Sequence, residues 1–105
     1  PCMLPVDKDG IPLMRGVLYG VDIRAAREIE ELTAQIGAET ILERCGNALT
    51  SQSVGPKILW FKRNRPDLFA KSHKVLNSTS FLVHRLAFFF FFRRTRFGGA
   101  GAACC

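Results

Sequence analysis

The sequence predicts part of an α/β domain, mostly helical, with a short strand or hairpin at its N-terminal side. Three observations carry this. "GVLYGVD", Gly16 to Asp22, is a β-rich apolar run bounded by glycines. The period then changes to helical in "IRAAREIEELTAQIG". Further stretches with helix starts and stops follow, without an internal repeat. One buried strand needs sheet neighbours, and this chain offers at most a hairpin. A piece of a larger domain is therefore expected.

Cys2 to Val6 is short and mostly apolar and leads into "DKDG", Asp7 to Gly10. Asp caps a turn through its side chain and Gly takes positive φ. "IPLM" follows, so the unit reads as a hairpin or a strand–turn–strand edge. An EF-hand reading fails, because the Gly comes too early and no bidentate Glu closes the loop. Gly16–Asp22 reads as a buried strand. In the next helix Ala25, Ile29, Leu32 and Ile36 form the core stripe. Arg24, Arg27, Glu28, Glu30 and Glu31 cover the other faces, Arg27 pairing with Glu31. Gly37 stops the helix. A short helix spans about Ala38 to Arg44 and closes at Gly46, and "NALTSQSV" is a polar loop. "GPKILWFKRN" starts a third helix with Pro56 in its first turn. Ile58, Leu59 and Phe61 form its core side, widened by Trp60. Pro66 starts another helical turn in "RPDLFAKS". Asn77, Ser78 and Thr79 are N-caps for a helix running through Phe81, Leu82 and Arg85.

The formal charge is +6. Arg93, Arg94 and Arg96 supply three of the positive charges, and the stretch after Leu86 holds no acid. Without them the balance is +3, with bases and acids interleaved as on a solvated surface. No basic stripe marks a nucleic-acid binder. Cys2, Cys45, Cys104 and Cys105 match neither a disulfide framework nor a zinc pattern, so reduced thiols and a cytoplasmic setting are expected. "PCMLPVDKDG" carries no signal peptide pattern. His73 and His84 have no Asp, Glu or Cys at ligand spacing and read as a surface and a helix residue. Cys45 has no partner base. No P-loop and no GxGxxG is present.

The closing stretch "RLAFFFFFRRTRFGGAGAACC" is unlike the rest. It is too short and too interrupted for a membrane span, which takes about 20 apolar residues. Five consecutive phenylalanines leave no polar face on a helix or a strand. Phenylalanine codons make a slippery pyrimidine tract, and the residues after it lack hydrophobic periodicity. The expected division is therefore residues 1–86 as the domain portion, and 87–105 as a low-complexity tail, frameshifted or disordered. The competing expectation is a small non-catalytic binding module that lays Phe and Arg on a membrane surface.

For Asp22 and Arg24, at the junction of strand and helix, two roles are open. Ligands bind at the carboxyl ends of strands in α/β sheets. Asp22 would then accept hydrogen bonds from hydroxyl groups, with Tyr19 and the bare backbone of Gly20 shaping the site. Otherwise Asp22 caps the helix and Arg24 pairs with Glu28.

"VLYGVDIRAAREIEEL" resembles the FGGY carbohydrate kinases, the family of xylulokinase, ribulokinase and glycerol kinase. Members carry an aromatic, then Asp-x-Arg-Ala, then an amphipathic helix. "PVDKDGIPLMRG", "ERCGN", "GPKILWFKRNRPDLFAK" and "STSFLVHRL" extend the resemblance over about Leu4 to Leu86. The most specific parts are Asp22-Ile23-Arg24-Ala25 and the Lys-x-x-Trp signature from Lys57. The aromatic lies one residue further from the Asp than in xylulokinase-like members. Where the family continues Leu-Thr-Gly, this chain has Leu86-Ala87-Phe88. The resemblance implies a fragment of an actin-like, ribonuclease-H-like N-terminal sugar-kinase domain. It implies a sugar or polyol substrate, ATP and Mg²⁺ in the intact parent, which is a homo-oligomer in one reading, and none of these cofactors for the fragment alone. It places Asp22, Tyr19, Gly20 and Arg24 at the substrate. The catalytic Asp and the ATP motifs are expected outside these residues. Neither nucleic acid nor membrane is expected as a partner.

Overall fold

The computed structural model describes residues 2–97, with side chains as far as Phe88. A two-stranded antiparallel sheet joins two segments far apart in the sequence. β1 (Leu4–Val6) lies against β2 (Lys74–Leu76), with Leu4 opposite Leu76, Pro5 opposite Val75 and Val6 opposite Lys74. The tight turn predicted after β1 is present. Oδ1 of Asp7 accepts from the backbone N–H groups of Asp9 and Ile11 at 2.9 and 2.8 Å, and Gly10 adopts φ 76°. The chain folds back through an isolated bridge between Val6 and Pro12, and a second bridge joins Met3 to Val17. The longer pairing with β2 comes from a segment whose three residues carry no strand signal of their own.

Gly16–Asp22 is not a buried strand. Val17 alone is bridged and buried, while Leu18, Tyr19, Val21 and Ile23 are exposed. Gly20 turns the backbone at φ 75°. The carbonyls of Leu18 and Gly20 are held by side chains, Lys57 Nζ at 2.7 Å and Ser51 Oγ at 2.9 Å, where a strand would have backbone partners.

α1 (Ala26–Ile36) and α2 (Ala38–Cys45) follow the predicted order. Gly37, at φ 93°, ends the first and begins the second, and Gly46 closes the second in the left-handed region. Most of the expected core stripe of α1 faces inward, with Ala25 buried and Ile29 and Leu32 half-buried; Ile36 is exposed instead, and Glu28, expected on a polar face, is buried. The cause is Arg63 of α3 (Val54–Asn64), whose guanidinium reaches Glu28 at 3.5 Å and Glu31 at 2.5 Å. α3 buries Phe61, whose ring meets Phe69 of α4 (Pro66–Lys71) edge-on at 5.6 Å. Met3, Val17 and Phe61 form the core, ringed by Met14, Val54, Ile58, Trp60, Leu68, Phe69 and Val75.

α5 (Ser78–Phe97) starts as predicted, with Asn77 Oδ1 accepting the Ser80 N–H at 2.7 Å. Its backbone remains helical through the phenylalanine run. Leu82 is exposed together with Val83, Leu86 and Phe88. α5 meets the rest of the fold through half-buried Phe81 and His84, and His84 lies against Gly10. The remaining tail, residues 98–105, lies outside the described residues.

Candidate functional site

The loop from Leu18 to Arg24 is pinned by the segment that closes the polar loop and opens α3. Tyr19 donates its hydroxyl hydrogen to Gln52 Oε1 at 2.8 Å. Ser51 Oγ donates to the Gly20 carbonyl, and Lys57 Nζ to the Leu18 carbonyl. Three consecutive residues are thus each fixed by a polar side chain from one short stretch. Positive φ at Gly20 suits glycine and aims the following residues back toward α1.

Asp22 is held by Arg24. Its Oδ1 accepts from the Arg24 backbone N–H at 3.2 Å and from Nε at 2.8 Å, and its Oδ2 lies 2.7 Å from Nη2. This forked pairing is the geometry in which arginine grips a carboxylate most specifically. The Asp22 side chain is 13% exposed and that of Arg24 37%. The Arg24 guanidinium in turn lies over the Trp60 ring, 4.8 Å from its centroid. The Arg24 side-chain hydrogen bond holds the Asp22 carboxyl below the usual carboxylate range. Burial opposes this, and the Arg24 backbone N–H and the charges of Arg24 and Lys57 add to it. Asp22 is therefore a fixed, ionised acceptor. A carboxylate offers about four lone-pair positions. Arg24 occupies three, which leaves one on Oδ2 for a hydroxyl group.

The purely structural role expected for the pair takes a different form. Ala25 is the N-cap of α1 and no side chain caps it. Arg24 pairs with Asp22, while Glu28 pairs with Arg63. The four residues Asp22, Tyr19, Gly20 and Arg24 do lie in one loop. Gln52, Ser51, Lys57 and Trp60 join them, and sequence reasoning gave none of these a role at the site. The one available signal was Lys57, a cation between the first-turn proline and an apolar run.

Beside the pair, a cleft of about 370 Å³ runs between α1 and α3, lined by Arg24, Arg27, Glu28, Glu31, Trp60 and Arg63 among others. Glu31 joins Arg27 at 2.7 Å to Arg63 at 2.5 Å. Arg63 first, then Arg27, holds its carboxyl below the ordinary value. Among the described residues no group of three or more His, Cys, Asp or Glu side chains gathers that could hold a metal ion. Among them, too, no helix is long and apolar enough to cross a membrane.

Residues 2–100 match the model of the FGGY family of carbohydrate kinases, N-terminal domain. That match runs past Leu86, the expected boundary. The xylulose kinase of Staphylococcus xylosus is 23% identical over 84 residues, covering 80% of this chain and 17% of the relative. That of Haemophilus influenzae is 28% identical over 85 residues, again 80% and 17%. The crystal structure of xylulose kinase from Rhodospirillum rubrum superposes with a TM-score of 0.72 at 31% identity, over 77% of this chain and 16% of that one. The chain thus spans 16–17% of the length of these relatives. The fold described above is a portion of the actin-like sugar-kinase fold.

Proposed function

We infer function from one premise: the chain belongs to the FGGY family of carbohydrate kinases, whose N-terminal domain it matches. On that premise it is the part of an ATP-dependent kinase that helps to hold the sugar or polyol whose hydroxyl is phosphorylated. The observation that carries this is the Asp22 carboxylate, ionised, fixed by Arg24 and left with one acceptor position. A sugar hydroxyl donates to such a group, and Tyr19 and Gly20 border the same loop. The similar proteins are named xylulose kinases, so a ketose is the first substrate class to test.

Phosphoryl transfer needs a metal site, a phosphate-holding backbone and a base in one cleft. The sequence has no glycine-rich phosphate loop, and the described residues gather no metal-binding set. ATP and Mg²⁺ are assigned to parts of the kinase beyond this segment, which is catalytically silent by itself. Family membership favours this reading over a free-standing membrane-surface module. A cytoplasmic setting is part of the same reading.

The test is an intact kinase bearing this segment, assayed with ATP over a panel of ketoses and polyols. A hydrogen bond to a charged group contributes roughly 1.5–3 kcal/mol. Asp22→Ala is therefore expected to raise the sugar KM roughly 10- to 100-fold, at about 1.4 kcal/mol per tenfold, with the ATP KM nearly constant. An unchanged sugar KM in a stably folded variant removes Asp22 from the sugar site.

A further inference from the structure

Lys57 is a charged side chain where the fold gives little reason for one. It is 1% exposed, in the first half of α3. Its Nζ makes one hydrogen bond among the described residues, to the Leu18 carbonyl at 2.7 Å. No carboxylate forms an ion pair with it among those residues. An ammonium in that setting has lost water and gained one neutral acceptor. Burying an ammonium against one neutral acceptor and no counter-charge is unfavourable. Packing and stability alone therefore do not explain a lysine here.

Its placement does. The Leu18 carbonyl stands where the chain leaves the core at Val17 and enters the exposed loop. A strand neighbour would have bonded that carbonyl, and here Lys57 does. The other two anchors of the loop, Ser51 on Gly20 and Gln52 on Tyr19, are neutral and come from a loop themselves. Lys57 is the anchor rooted in a helix. Its charge also acts on Asp22 and favours the ionised carboxylate.

We propose that Lys57 is a positioning residue: by holding the Leu18 carbonyl, it presets the Leu18–Arg24 loop to receive the sugar. This rests on Asp22 as a sugar ligand. Lys57 does not touch the substrate. It removes alternative loop conformations before the sugar arrives, and preorganisation of this kind appears as affinity. The resulting signature is unusual for a buried residue: its loss harms binding without harming the fold.

The experiment compares Lys57→Met, Asp22→Ala and the double variant in the intact kinase bearing this segment, reading both KM values, kcat and Tm. For K57M the expected result is a sugar KM raised about tenfold. The kcat and ATP KM should stay within about twofold, and Tm should be unchanged or higher. Because Lys57 acts through the Asp22 loop, K57M on the D22A background should add little further rise. A fall in Tm with an unchanged sugar KM would make Lys57 a stability residue and overturn the proposal. So would failure to fold in both K57M and K57Q, the latter keeping a hydrogen-bond donor without charge. If D22A leaves the sugar KM unchanged, the sugar-site reading fails and this proposal with it. If D22A raises the KM and K57M does not, the positioning role alone fails.

Discussion

Gly10→Ala should destabilise the fold by more than its backbone conformation accounts for, and Gly46→Ala supplies the control. Both glycines sit in the left-handed region, at φ 76° and 72°. For a residue with a Cβ that conformation costs roughly 1–2 kcal/mol. At Gly46 no atom lies within 4 Å of an added Cβ, so the backbone cost stands alone. At Gly10 the Cβ would collide with Cε1 of His84 and lie 2.9 Å from each of its ring nitrogens. The ring could rotate away. It would then lose its stacking on Phe88, at 6.3 Å, and its seat against the turn. Driving a ring off a preferred rotamer and opening its contacts adds roughly 1–2 kcal/mol. The expected totals are about 1–2 kcal/mol for Gly46→Ala and about 2–4 kcal/mol for Gly10→Ala. Urea unfolding followed by the emission of Trp60, the single tryptophan of the chain, measures both. In a His84→Ala background the excess at Gly10 should vanish, leaving the two glycine penalties equal. If Gly10→Ala costs no more than Gly46→Ala in the natural background, His84 does not clamp α5 to the turn after β1.

Three further outcomes follow from the charges, the tail and the family reading. Glu31 has its carboxyl held below its ordinary value of 4.5 by Arg63 and Arg27. A depressed carboxylate adds stability that is present above its unfolded value and is lost as pH falls through the folded one. Urea midpoints should therefore drop more steeply below about pH 4.5 for the natural chain than for Glu31→Gln; equal slopes would show that the Arg27–Glu31–Arg63 link is not maintained in solution. Deleting Phe88 to Cys105 should raise the soluble yield, since Phe88 is exposed and four more phenylalanines follow it. Neither form should bind ATP in a calorimetric titration, and saturable binding by either would place a nucleotide site within this segment.

Helix positions were legible because their signals are local. Pro56, Pro66 and Asn77 mark starts, and Gly37 and Gly46 mark stops, each through its own backbone chemistry. The turn at Asp7–Gly10 belongs to the same class. β2 was illegible because Lys74–Leu76 becomes a strand only by lying against Leu4–Val6, far away in sequence. The burial of Glu28 likewise goes with Arg63 from another helix.

The segment Gly16–Asp22 shows the same limit at the site itself. Its apolar content predicts burial, yet Val21 is 76% exposed and Leu18 58%. Hydrophobicity states what water disfavours around a side chain; it does not name the neighbour that would cover it. Backbone partners decide whether such a run becomes a strand, and here the carbonyls at Leu18 and Gly20 take Lys57 and Ser51. A strand would have alternated its side chains between two faces and left Asp22 at its carboxyl end. The side-chain anchors, with the turn at Gly20, instead bring Asp22 against Arg24 and, through it, against Trp60. The residues that spoil the strand are those that build the candidate site. Local rules fail where side chains take over the role of backbone partners, and in this chain that happens beside the Asp22 carboxylate.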